Sequence, residues 1–170
     1  MAVRRSPQSR ARRASRGPGV ARRSRRARRT DPGRALNAES AGLLDTSVFI
    51  AREVSRPLGQ LPARVTVSVI TIGELQLGVL SARDAASRAR RGDTLALART
   101  AEPVPVSESV MQTWARLVAD CRAAGIQPTV KLTDALIAAT AIDLGLPVVT
   151  QDEDFDQIAR AHRPLQIVKV

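Results

Sequence analysis

The alternation of short apolar runs with longer amphipathic stretches is the feature that most constrains the fold of this chain. Three runs resemble strands: AGLLDT from Ala41, the β-branched RVTVSVI from Arg64 to Ile70, and LPVVT ending at Thr150. Strands that alternate with helices are typical of α/β proteins, in which helices cover a parallel sheet. We therefore predict a mostly parallel central sheet with helices on both of its faces.

Apolar residues with a helical period predict helices in the intervals. The predicted helices run from Thr71 to about Ser81, from Ala82 to Arg99 with a break at Gly92, from Ser107 to Ala123, and from Asp134 to Leu144. Trp114 and Cys121 lie on the apolar face of the third helix and are expected in the core. Thr133 is the expected N-cap of the fourth helix, which Gly145 and Pro147 are expected to end.

The positive charge is concentrated ahead of the predicted domain. The formal net charge is +11, but residues 1–34 hold 13 of the 27 basic residues, and the remainder has 14 basic and 15 acidic residues. Because residues 1–38 contain few apolar side chains to offset the entropy of ordering, we predict a disordered tail there and one folded domain over residues 39–170. The tail is either an arm that binds nucleic-acid phosphates or a solvated extension.

Composition argues against several classes of protein. The single cysteine, Cys121, cannot form an internal disulfide or a cysteine-rich zinc site. No run approaches the roughly 20 apolar residues that a membrane span requires, so we expect neither insertion nor export, but a cytoplasmic location. The single histidine, His162, is expected on the surface, which argues against a histidine-based acid/base mechanism.

Two aspartates follow the ends of predicted strands. Asp45 ends the first strand, and Asp152 lies two residues beyond Thr150, with Asp154 at the next alternate position. Open α/β sheets bind ligands at the carboxyl ends of their strands, and a carboxylate there is costly unless it is paired or binds a metal. The structural alternatives are an Asx turn at Asp45 and a solvated acidic turn that caps a helix starting near Phe155.

Two further acids lie in first turns of predicted helices, where capping explains them equally well. Asp134 suits the positive end of a helix dipole, and Glu74 suits a capping box with Thr71. All four acids can nevertheless meet over one sheet edge, where they would repel one another. A hard divalent cation relieves that repulsion, and Mg²⁺ or Mn²⁺ suits carboxylate ligands far better than zinc does.

Three segments in succession carry a family resemblance. LLDTSVFIA, SVITIGELQLGVL and TDALIAATAIDLGLPVVTQDEDF resemble the signatures of PIN domains, and in particular of VapC-type toxins of type II toxin–antitoxin pairs. The match extends from Leu43 to about Ile158. The long arginine-rich tail is a departure, since members of this family usually begin almost at the first strand.

The resemblance implies a PIN-like α/β fold and a Mg²⁺- or Mn²⁺-dependent endoribonuclease that acts on RNA. The implied catalytic and metal-binding acids are Asp45, Glu74, Asp134 and Asp152, with Asp154 as an additional metal ligand and Thr46 and Thr150 as supporting hydroxyl residues. A toxin of this type implies a cognate antitoxin as partner, and we also expect a homodimer.

RNA must be held over an acidic pocket by basic residues around its rim. The candidates are Lys131, Arg52, Arg83 and Arg122, and the low aromatic content argues against base stacking as the main mode of binding. One alternative is a non-catalytic RNA- or protein-binding module on a PIN scaffold. Another is a phosphoryl-transfer enzyme with Asp45 as its nucleophile, although DTSVF lacks the DxD pattern of dehalogenase-like phosphatases.

Overall fold

The structure is a computed structural model that describes residues 40–126 and 129–170. The predicted tail over residues 1–38, and its boundary with the domain, lie outside the described residues. In chain order the elements are β1 (Ala41–Leu44), α1 (Thr46–Glu53), β2 (Arg64–Val67), α2 (Val69–Leu80), α3 (Ala85–Arg99), α4 (Glu108–Ala123), α5 (Leu132–Asp143), β3 (Val148–Thr150), α6 (Asp154–Ala161) and β4 (Ile167–Lys169).

The four strands form one parallel sheet in the order β2-β1-β3-β4. At its centre β1 and β3 are neighbours, with Leu43 opposite Val148 and Leu44 opposite Val149. Gly42 allows their close approach, because a Cβ atom at this position would lie 2.5 Å from Cγ2 of Val149. The helices that follow these two strands, α1 and α6, pack on opposite faces of the sheet. A crevice therefore opens at the carboxyl ends of β1 and β3, where open α/β sheets bind their ligands.

Two apolar clusters cover the two faces of the sheet. Leu43 and Val148 contribute to one cluster with residues of α4, α5 and α6, whereas Leu44 and Val149 contribute to the other with residues of α1, α2 and α3. Successive strand residues point to opposite faces, so both sides of the sheet are buried. This confirms the predicted fold class. Cys121 is buried and Trp114 packs against the first cluster, as predicted.

The start of α2 differs from its prediction. The chain leaves β2 at Val67, and Ser68 caps a helix that begins at Val69, with the Ser68 Oγ accepting a hydrogen bond from the Thr71 backbone N–H at 3.0 Å. The β-branched residues that follow Ser68 had suggested a longer strand. The predicted break at Gly92 is also wrong, since α3 is continuous from Ala85 to Arg99.

The C-terminal third of the chain contains three further corrections. Helix α5 begins at Leu132, with Lys131 rather than Thr133 at the N-cap position, and it ends before Gly145, whose φ is +65°. His162, the C-cap residue of α6, is buried rather than exposed as expected, and its Nδ1 lies 2.7 Å from the Asp120 Oδ2 of α4. The sequence did not predict β4.

Within the described ranges, every helix is too short or too polar to cross a bilayer.

Candidate metal centre

Asp45 lies at the carboxyl end of β1, in the crevice between the two central strands. Its side chain is buried, and its Oδ2 accepts hydrogen bonds from the Ser47 backbone N–H at 3.2 Å and from the Thr150 hydroxyl at 2.9 Å. Asp45 is therefore also the N-cap of α1, so the turn that the sequence left as an alternative is present. Asp45 can cap α1 and also belong to the site, because the capping hydrogen bond uses only its Oδ2.

Hydroxyl groups join the ends of β1 and β3. The Thr150 Oγ1 accepts a hydrogen bond from the Asp152 backbone N–H at 2.8 Å, so one hydroxyl positions two of the predicted acids. The Ser47 Oγ lies 3.1 Å from the Thr150 Oγ1 and accepts from the Gln151 backbone N–H at 3.0 Å. Sequence analysis missed Ser47, although its place two residues after Asp45 was a usable signal.

Glu74 reaches the crevice from α2. Its Oε2 accepts a hydrogen bond from the Thr46 hydroxyl at 2.5 Å, which ties the first turn of α1 to the second turn of α2. The predicted capping box is wrong, because the helix starts at Val69 and Ser68 caps it. Glu74 is thus free of a capping role.

Asp134 is the most deeply buried acid that enters the site from a helix. It lies in the first turn of α5 with a side chain only 8% exposed, and its Oδ2 has no hydrogen-bond donor among the described residues. Burial raises the pKa of Asp134 to about 6, the Lys131 ammonium opposes that rise, and Asp45, Glu74 and Asp152 add to it. These effects place Asp134 in electrostatic contact with the other three predicted acids.

Asp152 and Asp154 follow β3 and complete a compact group. The Asp152 Oδ1 accepts a hydrogen bond from the Asp154 backbone N–H at 2.9 Å, which closes the turn at the start of α6. Carboxylate oxygens of Asp134, Asp152 and Asp154 lie within 4.8 Å of one another. The sequence treated Asp154 as an additional ligand, but the geometry makes it one of the three closest acids.

Lys131, a predicted RNA contact, lies beside the compact group of acids. Its Nζ is 2.9 Å from the Asp154 Oδ2, 3.5 Å from the Asp134 Oδ2 and 3.8 Å from the Asp152 Oδ2. A hydrogen bond to Asp154 and the charges of these acids raise the pKa of Lys131, which keeps it protonated. The other predicted RNA contacts, Arg52, Arg83 and Arg122, are exposed residues outside this cluster.

The donor set suits a hard divalent cation. Each of the three closest acids offers a carboxylate oxygen, and no histidine or cysteine belongs to this group in the described part of the chain. Oxygen ligands are those that Mg²⁺ and Mn²⁺ prefer. The Asp134 Oδ2 adds a specific requirement, because a buried carboxylate oxygen without a donor is costly and a bound cation would compensate it.

Comparison with known proteins identifies the family. The family model for the PIN domain matches residues 42–161, which is well over half of the chain. The chain belongs to the PIN-domain family. Ribonuclease VapC8 of Mycobacterium tuberculosis is 71% identical to this PIN domain over 100 residues, which cover 59% of the present chain and 89% of that protein. Ribonuclease VapC5 of the same organism is 41% identical over 133 residues, which cover 77% of the present chain and 96% of that protein.

A solved structure shares the architecture of this PIN domain. The crystal structure of VapBC-5, a member of the VapBC family of toxin–antitoxin systems from Mycobacterium tuberculosis, matches with a TM-score of 0.68 and 38% identity. The match covers 77% of the present chain and 99% of the chain in that structure. The resemblance to VapC-type proteins inferred from the three sequence segments is therefore confirmed.

The crevice of the PIN domain brings the five predicted acids together in two groups. Asp134, Asp152 and Asp154 form the compact group around the Lys131 ammonium. Asp45 joins it through the Thr150 hydroxyl, and Glu74 is bonded to Thr46, the residue next to Asp45. Both supporting threonines thus contact an acid.

Proposed function

We propose that this PIN domain is a divalent-metal-dependent endoribonuclease and the toxin of a toxin–antitoxin pair. The observation that carries the proposal is the buried Asp134 carboxylate, whose Oδ2 has no hydrogen-bond donor among the described residues and which has an oxygen within 4.8 Å of carboxylate oxygens of Asp152 and Asp154. The names of its relatives VapC8 and VapC5 supply the reaction class, since both are called ribonucleases. The proposed substrate is accordingly RNA.

The proposed metal ligands are the acids of the crevice. Asp45, Asp134 and Asp152 would hold Mg²⁺ or Mn²⁺ directly, and Glu74 and Asp154 would serve as further ligands or bind through water. A divalent ion bound there supplies Lewis-acid activation of water and neutralises the charge that develops on a phosphodiester during hydrolysis. This proposal assigns catalysis to the acids and requires no covalent intermediate.

The hydroxyl residues have a positioning role in this proposal. Thr150 directs the Asp45 Oδ2 and the Asp152 backbone from one hydroxyl, and Thr46 directs the Glu74 Oε2. Groups that orient the ligands of a metal set its affinity and the activity that depends on it. The two threonines would therefore hold their acids in place before the metal binds.

Basic residues outside the crevice would hold the RNA. Arg52, Arg83 and Arg122 are exposed, and their guanidinium groups can bind phosphates that the acidic cluster would repel. The proposed contacts leave the base sequence unread, because phosphate contacts position a nucleic acid without specifying it. The arginine-rich residues 1–38 are a second candidate for phosphate contacts, with a solvated extension as the alternative.

The proposed partner is a small antitoxin protein. The related VapBC-5 structure belongs to a toxin–antitoxin system. Next to Thr46 and Glu74, a mostly apolar groove of about 250 Å³ runs between α1 and α2, and Ile50, Val54 and Gly78 line part of it. Because exposed apolar patches of monomers mark interaction sites, we propose this groove for the antitoxin. The homodimer and the cytoplasmic location stay predictions.

Incubation of the purified chain with total cellular RNA, followed by sequencing of the new RNA ends, tests the proposed activity. We expect discrete cleavage sites with Mg²⁺ or Mn²⁺ and none with EDTA. Asp45→Asn is the matched variant, since it keeps the shape of the side chain and removes its charge. Equal cleavage by wild type and D45N, or undiminished cleavage in EDTA, would contradict the proposal, and RNA binding without cleavage would favour the non-catalytic module.

A further inference from the structure

The Lys131 ammonium lies among the three carboxylates of the compact group, which is the acidic group discussed below. Its Nζ lies within 4 Å of Asp134, Asp152 and Asp154, at 3.5, 3.8 and 2.9 Å from their nearest carboxylate oxygens. The same three residues are those whose carboxylate oxygens lie close enough to share one metal ion. One lysine nitrogen is thus placed among all the ligands of the compact group.

The position of Lys131 in its helix makes this arrangement unusual. Lys131 is the N-cap residue of α5, and it forms no side-chain capping hydrogen bond. The amino end of a helix carries partial positive charge and favours acids or small polar residues, so a lysine there is unfavourable to the helix itself. The contacts with the three carboxylates offset that cost, which indicates that the lysine serves the acidic group.

The group still contains a polar atom that the lysine leaves unsatisfied. The Asp134 Oδ2 is 3.5 Å from Nζ and has no hydrogen-bond donor among the described residues, although it is buried. A single positive charge therefore compensates three carboxylates incompletely. A divalent ion offers twice the charge and can contact all three acids at bonding distance.

We propose that Lys131 is a built-in counter-cation of the metal centre, which holds the acidic group together in the metal-free protein and which the divalent ion displaces. The proposal rests on the metal-dependent function proposed above. An ammonium and a divalent ion repel each other at the distances within this group, so the two compete for the same carboxylates. The Lys131 side chain is 59% exposed and can move outward into solvent.

Because the divalent ion must displace Lys131, the centre binds metal more weakly than the same carboxylates would without the lysine. Binding of the ion must break the contacts of Lys131 with Asp134, Asp152 and Asp154, and their loss is subtracted from the free energy of metal binding. Lys131 thus sets the metal concentration at which the centre fills. This role differs from that of a ligand-positioning residue, whose removal would weaken metal binding.

Lys169 offers a matched control at the same acidic turn. Its Nζ donates a hydrogen bond to the Asp152 carbonyl oxygen at 2.6 Å and lies 3.0 Å from the Asp156 Oδ2. Lys169→Gln removes the same charge as Lys131→Gln and alters the same turn. It leaves the contacts between Lys131 and the three carboxylates in place.

The test compares the Mn²⁺ affinity of wild type, K131Q, K131R and K169Q. The concentration of free Mn²⁺ in each titration is measured from its EPR signal. We expect K131Q to bind Mn²⁺ about tenfold more tightly than wild type, as the loss of three partly exposed ion pairs from the competing state predicts. K131R should stay near wild type. K169Q should change by about twofold at most, because the Lys169 ammonium is paired with Asp156 rather than with the three carboxylates of the compact group, and salt screens its remaining effect on them.

The alternative outcomes separate this inference from the proposed function. Unchanged or weaker binding by K131Q, or an equal gain in K131Q and K169Q, overturns the role of Lys131 while leaving the metal centre intact. Failure of wild type and K131Q alike to bind Mn²⁺ overturns the proposed metal centre and this inference together. A crystal structure with Mn²⁺ gives a second measurement, in which Lys131 should have left Asp154, and its retention there would also overturn the inference.

Discussion

The Thr150 hydroxyl donates a hydrogen bond to the Asp45 Oδ2 at 2.9 Å, across 105 residues of sequence. The Thr150 Oγ1 also accepts a hydrogen bond from the Asp152 backbone N–H, so one side chain aligns acids from both central strands. Thr150 is fully buried, which leaves no water to replace it.

Thr150→Val removes this hydroxyl and keeps the shape of the side chain. We expect a loss of about 10- to 100-fold in metal affinity or metal-dependent cleavage, the range found when groups that orient metal ligands are removed. We also expect a loss of about 1–3 kcal/mol in the free energy of unfolding, because the Asp152 N–H and the Asp45 carboxylate lose a buried partner. Thr150→Ser keeps the hydroxyl and should retain most of both, so equal loss in T150V and T150S would refute a hydroxyl-specific role.

Asp134→Asn should make the metal-free protein more stable, and it should abolish metal-dependent cleavage. The folded-state pKa of about 6 lies above the ordinary value of 3.8, so the folded state binds this proton more strongly than the unfolded state does. Its contribution to stability is complete below about pH 4 and is lost as the pH rises through about 6. Asparagine removes this loss, and in EDTA at pH 7.5 we expect D134N to exceed wild type by on the order of 1–3 kcal/mol.

Chemical denaturation of wild type and D134N in EDTA between pH 5 and 7.5 measures this effect. The difference in stability should grow with pH and should reverse when Mn²⁺ is added, because only wild type gains from the metal. A pH-independent difference would show that the Asp134 carboxylate is not destabilising when ionised.

Glu74→Gln should reduce cleavage without weakening the helix that carries it. Glu74 bonds to the Thr46 hydroxyl and takes no part in capping α2, so we expect a change in stability within about 0.5 kcal/mol and a loss of activity of at least about tenfold. Ser68→Ala is the matched comparison, because the cap itself is lost and about 1 kcal/mol of stability should go with it. Thermal unfolding and RNA cleavage measured on both variants distinguish a role of Glu74 in the site from a role in capping. If E74Q loses as much stability as S68A does, Glu74 is a cap after all.

Gly42→Ala should disturb the pairing of β1 with β3. The added Cβ would lie 2.5 Å from the Val149 Cγ2 and 3.2 Å from the Pro62 Cγ, so the strands or side chains must shift. Overpacking of this kind costs about 1–3 kcal/mol, which urea denaturation would measure. Val149→Ala in the same chain removes the closest contact, and the double variant should lose less than the sum of the two single losses. If the loss in the double variant equals the sum of the two single losses, the contact between the added Cβ and Val149 is contradicted.

The positions of β1 and β3 and the parallel class of the sheet could be predicted, because residue type and spacing indicate buried strands locally. Leu43 and Leu44 at the end of β1, and Val148 and Val149 in β3, are apolar in succession, as strands buried on both faces require. The three-residue β4 gave no such signal, since Ile167 and Val168 are too short a run to separate from a loop. The start of α2 was hidden because Ser68 caps a helix whose first residues, Val69 and Ile70, are β-branched.

The acids of the site were predictable to the extent that strand ends converge. Asp45 and Asp152 followed from their places after apolar runs, and their common hydrogen bonds with Thr150 agree with that reasoning. Lys131 was predictable as a basic residue near Asp134, but not as the centre of the acidic group. The position of its ammonium depends on how α5 and the turn after β3 pack together, which no local pattern records.

The order of the strands determines when the crevice can form during synthesis of the chain. Asp45 and Glu74 are synthesised early, whereas Asp134 and Asp152, which complete the crevice from α5 and the end of β3, come late. Since β3 pairs with β1 and follows α5 in the chain, a chain that ends before α5 carries two of the five predicted acids and lacks one of the two strands that border the crevice. In the proposed function, a partly synthesised chain therefore has no complete metal centre.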